Sequence, residues 1–270
     1  MLLGIGSYTC TWAIGVPGRP PRHPLGARDL LARARSLGVR VVQYCDNLPL
    51  TALPPRELEG LLEEARAAGI AVEVGTRGLD EADLRANLAI AIRAGAPFVR
   101  VVVDGRGREP SPAEAAALLR PLLPEFEAAG VRIAIENHDR FPARALAGLV
   151  EELGRHRAGV CLDTVNSLGA LEGPEAVVGT LAPYALNLHL KDFAIRRVES
   201  AMGFVVEGRP AGAGRLDVPW LLGKIRKAGR DVNAIVELWT PPAATLEETI
   251  EREEAWAEES VRNLRKHISG

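Results

Sequence analysis

Cysteine is scarce in this 270-residue chain: Cys10, Cys45 and Cys161 lie far apart, are odd in number and form no CxxC. That argues against a disulfide framework and for free thiols in a reducing compartment. An excess of either charge is missing too. The 33 basic and 35 acidic residues leave a net charge of −2, which gives no electrostatic reason to expect nucleic acid or an anionic membrane as partner. No apolar run is long enough to span a bilayer. The opening "MLLGIGSYTCTW" lacks a basic segment and breaks at Gly4 and Gly6, so it makes a poor signal peptide, and a cytoplasmic protein is expected. No Ser- or Gln-rich linker, charge block or repeat marks a boundary, so residues 1–270 are expected to form a single domain. No GxGxxG follows the first strand, and no Walker pattern occurs, which argues against a nucleotide site.

What is present is a regular alternation. Short β-branched runs at 3–8, 39–45, 70–74, 97–103, 131–136, 158–163, 185–191 and 233–238 read as strands. Amphipathic stretches at 27–37, 55–68, 80–94, 111–129, 143–154, 174–181, 217–228 and 245–267 read as helices. Helix entrances carry acidic residues or proline, as in "SPAEAAALL" (111–119), and exits carry glycine, as in "SLGV" (36–39). Eight such units in about 250 residues fit an α/β fold, the (β/α)8 TIM barrel. A doubly wound open sheet is the competitor, but eight units suit closure better.

In a barrel, alternate strand residues face the helices and the interior. The aliphatic phase belongs against the helices, which fixes the inward phase strand by strand. Ile133 and Ile135 alternate with Ala134, Glu136 and His138; Val160 and Leu162 alternate with Cys161 and Asp163. Leu186, Leu188 and Leu190 alternate with Asn187, His189 and Lys191; Val236 and Leu238 alternate with Ile235, Glu237 and Trp239. Glu136, Asp163, His189 and Glu237 thus point inward at the C-terminal ends of four successive strands, the face on which barrel active sites form. Three carboxylates and an imidazole left alone there would repel and desolvate one another. One divalent cation removes the conflict. The oxygen-rich donor set suits Mn²⁺ best, with Mg²⁺, Co²⁺ and Zn²⁺ also compatible. A capped or salt-bridged strand end would account for any single member, but poorly for four in phase.

These strand ends carry a resemblance. "IAIENHD" (133–139), "GVCLDTVNS" (159–167), "LHLKDF" (188–193) and "AIVELW" (234–239) resemble the xylose isomerase-like TIM barrel superfamily, in particular its sugar phosphate isomerase/epimerase branch. The likeness implies a metal held by Glu136, Asp163, His189 and Glu237, the residues that the phase had already selected. It also has a departure. Epimerases of this branch usually carry a substrate-touching histidine three positions after the metal-binding aspartate, and here that position is Asn166. An amide can donate and accept hydrogen bonds but carries no charge. The arginine expected after the seventh strand has only Arg196 and Arg197 near its place.

Other residues have two readings each. His138 and Lys191 stand one step above the metal layer, to touch substrate or to close the strand end; Lys191 could also pair with Asp192 or a metal-site carboxylate. Trp239 walls a sugar pocket or packs the barrel mouth. Glu73 and Arg100 read as a buried ion pair, and Arg77 as an anion contact or a solvated loop residue. His23, His156 and His267 read as surface residues. The segment 193–216, rich in glycine and arginine, reads as a cover over the site or as a hairpin without a ligand role.

The expected activity is that of an isomerase or epimerase of a keto-sugar or related polyol carbonyl compound. Metal and protein would stabilise an enediolate, with Glu136 and Glu237 as catalytic proton carriers on opposite flanks. His138, Asn166, Lys191, Arg196 and Trp239 are the candidate substrate contacts. The partner is therefore a small carbohydrate, with neither nucleic acid nor membrane involved, and a homo-oligomer is compatible with this reading. A lyase sharing the enediolate, of the inosose-dehydrating or keto-glycoside-cleaving type, is the alternative that Asn166 supports. An abasic-site endonuclease would need more histidines and a basic surface, and a metal-free binding protein would leave the carboxylate cluster unexplained.

Overall fold

Each β-branched run becomes a strand in the computed structural model, which describes residues 1–105 and 107–268. The strands are β1 (Leu3–Gly6), β2 (Val41–Tyr44), β3 (Ala71–Arg77), β4 (Phe98–Val102), β5 (Arg132–Glu136), β6 (Ala158–Asp163), β7 (Ala185–Leu190), β8 (Asp192–Arg197), β9 (Phe204–Arg209) and β10 (Asn233–Val236). Eight of them close a barrel in the order β1-β10-β7-β6-β5-β4-β3-β2, every pair parallel. The helices are α1 (Thr11–Ile14), α2 (Ala27–Ser36), α3 (Pro55–Ala67), α4 (Glu81–Ala94), α5 (Pro112–Leu119), α6 (Leu123–Ala128), α7 (Ala143–Leu153), α8 (Pro174–Leu181), α9 (Val218–Lys227) and α10 (Leu246–Leu264). This is the expected (β/α)8 TIM barrel in a single domain. No described helix is long and apolar enough to cross a membrane.

The expected phase holds on most strands. Ile133, Ile135, Val160, Leu162, Leu188, Leu190 and Val236 join the main apolar core between barrel and helices. Burial there is the main source of stability, at about 25 cal/mol for each Å² of apolar surface removed from water. Leu186 is the exception. Val160 pairs with Ala185 but Cys161 pairs with Asn187, so Leu186 is an extra residue in the β6–β7 ladder. Such a bulge turns its side chain off the regular phase, and Leu186 joins Phe98, Ala134 and Cys161 in a separate small apolar cluster. The bulge also shifts the pairing, so that His189 comes directly opposite Asp163.

The stretch 111–129 is two helices rather than one. Pro121, in "LLRPLLPEF", has no N–H to continue the ladder. The chain tightens there, with Leu122 N–H donating to Leu119 O, and restarts as α6.

Residues 192–209 form an antiparallel hairpin, β8 with β9. It sits against the end of the barrel, since a Cβ at Gly208 would lie 2.1 Å from Trp239 O. The glycine-rich turn that follows does not offer its amides to a ligand. Asp192 takes them: its carboxylate accepts from the N–H groups of Phe193, Gly212, Gly214 and Leu216 at 2.7–2.9 Å.

Candidate active site

The barrel brings the four selected side chains together. Glu136 ends β5, Asp163 ends β6, His189 lies on β7, and Glu237 follows β10 directly. All are buried, and one donor atom from each lies within 4.8 Å of the others. His189 Nδ1 stands 3.1 Å from Glu237 Oε1 and 3.4 Å from Glu136 Oε2. Asp163 Oδ2, His189 Nδ1 and both Glu237 oxygens are buried yet make no hydrogen bond. Buried acceptors without a hydrogen bond are costly, even with a cation beside two of them, unless something fills the space between them. Carboxylate oxygens around one imidazole nitrogen suit a small divalent ion, so the residues fit the metal that their order in the sequence implies.

Local structure aims these donors. Asp163 Oδ1 accepts from the N–H groups of Val165 and Asn166 at 2.8 and 2.7 Å, which leaves Oδ2 facing the cluster. Asn137 joins the ends of β5 and β6, accepting from Asp163 N–H at 2.7 Å and donating to Asp163 O at 2.8 Å. Glu136 is held on both oxygens, by Arg100 Nε on Oε2 and by Asn166 Nδ2 at 2.8 Å on Oε1.

Two cations border the cluster. Lys191 Nζ lies 2.9 Å from Asp163 Oδ2 and 2.8 Å from Glu237 Oε2, charge contacts without hydrogen-bond alignment, and it donates to Asn166 Oδ1 at 3.1 Å. Burial alone would lower the Lys191 pKa, but Asp163 and Glu237 outweigh it and hold the ammonium charged. Arg100 is buried between Glu136 and Asp46, whose Oδ1 it reaches at 2.9 Å. Burial would raise the Glu136 pKa, but Arg100 and then His189 hold it well below the usual carboxylate range. Asp46 also accepts from Tyr8 Oη at 2.9 Å and Arg77 Nε at 3.1 Å. Its carboxyl is likewise lowered, Arg100 and Arg77 outweighing burial.

Above the cluster a cleft of about 610 Å³ opens, lined by Tyr8, Trp12, His138, Asn166, Lys191 and Trp239 among others. Four of the five expected substrate contacts therefore face one space. Arg196 does not. It lies on the exposed hairpin, pairs with Glu207 at 3.2 Å and is not among the cleft residues. The expected Glu73–Arg100 pair does not form either. Arg100 extends past Gly75, where a Cβ would come within 2.8 Å of its Cδ, and reaches Glu136 and Asp46. Arg77 pairs with Asp46 and lines a second cleft of about 220 Å³. Lys191 pairs with Asp163 and Glu237 rather than with Asp192. His23, His156 and His267 are exposed, as expected. Sequence reasoning misses Tyr8, Asp46, Gln43 and Asn137, although Gln43 stands in the inward phase of its strand.

A family model described as the xylose isomerase-like TIM barrel matches residues 18–267. The chain belongs to this family. Among curated relatives of the barrel, the 3-oxo-isoapionate decarboxylase of Pectobacterium atrosepticum is 37% identical over 264 residues, covering 98% of this chain and 95% of that protein. Among solved structures, a D-psicose 3-epimerase determined in the presence of D-fructose superposes with a TM-score of 0.74 at 15% identity, covering all of both chains. The IOLI protein, solved with a zinc atom, gives a TM-score of 0.66 at 18% identity, again over all of both chains. At such identities the structural likenesses establish the fold.

Proposed function

We propose that this chain is a divalent-metal-dependent lyase that removes carbon dioxide from a polyhydroxy 3-oxo acid. The observation that carries this reading is the engagement of Glu136 on both oxygens, by Arg100 and by Asn166. An epimerase needs two opposed proton carriers, one to take a proton and one to return it on the other face. With Glu136 committed to Arg100 and Asn166, Glu237 is left without its opposite number. Decarboxylation of a 3-oxo acid needs no base at carbon. It needs a sink for the electron pair of the breaking bond and one proton donor. The relative that matches almost end to end has that reaction in its name, and Asn166 at the place of the epimerase histidine agrees with it.

Glu136, Asp163, His189 and Glu237 would hold the ion, and Mn²⁺ suits this donor set best. When bound, the ion supplies a Lewis acid that stabilises negative charge on the ketone oxygen. Lys191 and Asn166 hold the polar groups of the substrate at the floor of the cleft. The bond from C2 to the carboxyl carbon breaks, its electron pair moves into C2–C3 as the ketone oxygen gains charge, and carbon dioxide leaves. Lys191 Nζ then gives a proton to C2 and recovers one from solvent. Tyr8, Trp12 and Trp239 wall the cleft against bulk water.

A second reading, keto-sugar epimerisation or isomerisation, draws on Glu237, whose carboxylate faces the cluster with the Lys191 ammonium 2.8 Å from Oε2 beside it. The two separate in D₂O. The manganese-loaded protein given a 3-oxo sugar acid should release one carbon dioxide and place one deuterium at C2 per turnover. Deuterium entering a keto-sugar at the epimerised carbon, with no carbon dioxide from any 3-oxo acid, would overturn the proposal in favour of the epimerase.

A further inference from the structure

Beneath the donor cluster, the barrel interior holds a layer of polar side chains that the chemistry above does not use. Gln43, Glu73 and Asn187 are buried, with Asn233 half-buried beside them. Glu73 Oε2 accepts from Gln43 Nε2 at 3.0 Å and Asn187 Nδ2 at 3.1 Å, and Glu73 Oε1 accepts from Asn233 Nδ2 at 2.8 Å. A layer of aliphatic side chains would fill a barrel interior without the desolvation cost of a carboxylate and its amides. The polar layer reaches the donor cluster through Gln43, whose Oε1 lies 2.7 Å from His189 Nε2 and also accepts from Cys45 Sγ at 3.4 Å.

The polarity of this chain of bonds is determined from its far end. The backbone carbonyl of Asn233 can only accept, and Asn187 Nδ2 donates to it at 3.3 Å. Asn187 Oδ1 therefore faces the other way and accepts from Gln43 Nε2 at 3.1 Å. Gln43 must then turn its Oε1 to His189, and an amide oxygen cannot donate. His189 Nε2 has to carry the proton. In a neutral imidazole the lone pair is then on Nδ1, the atom that faces Glu136 and Glu237 and has no hydrogen bond of its own.

We infer that Gln43 is a positioning residue that fixes His189 as the Nε2–H tautomer and so presents Nδ1 to a divalent ion, with Glu73 and Asn187 fixing Gln43 in turn. This rests on the reading of the four donors as a metal centre. Outer partners that orient a ligating histidine typically contribute ten- to a hundredfold in metal affinity.

The test uses Zn²⁺ alone as probe, on metal-stripped protein, by calorimetry and by ¹⁵N spectra of the histidine side chains. In the zinc-loaded wild type, His189 should show a protonated Nε2 and a metal-bound Nδ1. Gln43→Leu should weaken zinc binding ten- to a hundredfold and speed exchange of the Nε2 proton. The paired change Gln43→Glu with Glu73→Gln, which keeps an oxygen on His189 and conserves the charge of the layer, should recover most of the affinity. Zinc bound through Nε2 in the wild type, a reading that needs no variant, would overturn the inference. So would unchanged affinity and exchange in Gln43→Leu. Unchanged affinity and exchange in Gln43→Leu would leave the metal centre standing. Zinc on Nε2 would leave zinc binding but move it off the Nδ1 side that faces Glu136 and Glu237. A wild type that takes up no zinc removes the metal centre and this inference together.

Discussion

Arg100 and Glu136 form an ion pair that water does not reach, their side chains being 2% and 1% exposed. One arm of the guanidinium touches a proposed metal ligand and another touches Asp46, so the pair carries charge from the donor cluster towards Tyr8 and Arg77. Breaking a buried pair by removing one partner typically costs about 3–5 kcal/mol, because the other charge stays buried and uncompensated. Arg100→Met should lower the unfolding free energy of the metal-free protein by about that amount in urea titrations. Saturating Zn²⁺ should recover part of the loss, since the ion neutralises the stranded Glu136.

Lys191 should separate chemistry from metal binding. Its ammonium already neutralises Asp163 and Glu237 where the ion would sit beside them. Lys191→Met removes both that competitor and the proposed proton donor. Turnover should fall by about a hundredfold or more, the usual scale of acid–base assistance. Zinc affinity, measured by calorimetry, should hold or rise. A loss of affinity would mean that Lys191 supports the ligands rather than the reaction.

Glu253 should give the unfolding free energy a pH dependence. It is buried on α10 and accepts the N–H groups of Trp12 and Ala13 at 3.0–3.2 Å. Burial outweighs those bonds and pushes its pKa up from 4.5 to about 7. Between these values the folded state binds more protons than the unfolded one. Stability from this group is therefore full below pH 4.5 and is lost as pH rises through 7, by about 3 kcal/mol. Glu253→Gln should remove that slope. The wild-type minus variant difference in unfolding free energy should move by about 3 kcal/mol in favour of the variant between pH 4 and pH 8.

Three of the four N–H groups on Asp192, those of Gly212, Gly214 and Leu216, make the 210–216 turn depend on one carboxylate. Asp192→Ala strands them in a poorly hydrated site, where each lost hydrogen bond to a charged group is worth about 1.5–3 kcal/mol. Amide hydrogen exchange of residues 210–216 should speed up by at least a hundredfold, while β5 and β6 keep their protection. Unchanged exchange in the turn would show that another contact holds it.

Period-two patterning makes the strands, their inward phase and the four clustered donors legible in the sequence. Polar side chains inside a barrel cost desolvation unless they find partners there, so a polar inward phase on four successive strands marks a shared site. Leu186 breaks the pattern because a bulge is set by pairing between two strands, which neither strand encodes alone. The burial of Arg100 is legible, but its partner is not. Arg100 pairs with Gly75 on one side and Ala134 on the other, so Glu73 lies one inward layer below it and Glu136 one layer above. Its long side chain runs upward to Glu136. The stretch 111–129 holds its own warning in Pro121 and Pro124. Arg196 is close to the site in sequence, yet the hairpin carries it out to Glu207. Asp46 and Tyr8, which complete the charge array, lie at strand ends with no periodic signal to mark them.

The central claim is that one divalent ion binds among Glu136, Asp163, His189 and Glu237. Anomalous diffraction from crystals grown with Mn²⁺ tests it most directly. A single strong peak is predicted within roughly 2.0–2.3 Å of a carboxylate oxygen of each acid and of His189 Nδ1, with Lys191 displaced towards Asn166. A peak elsewhere in the barrel, or none beside a Lys191 still paired with Asp163 and Glu237, would contradict it.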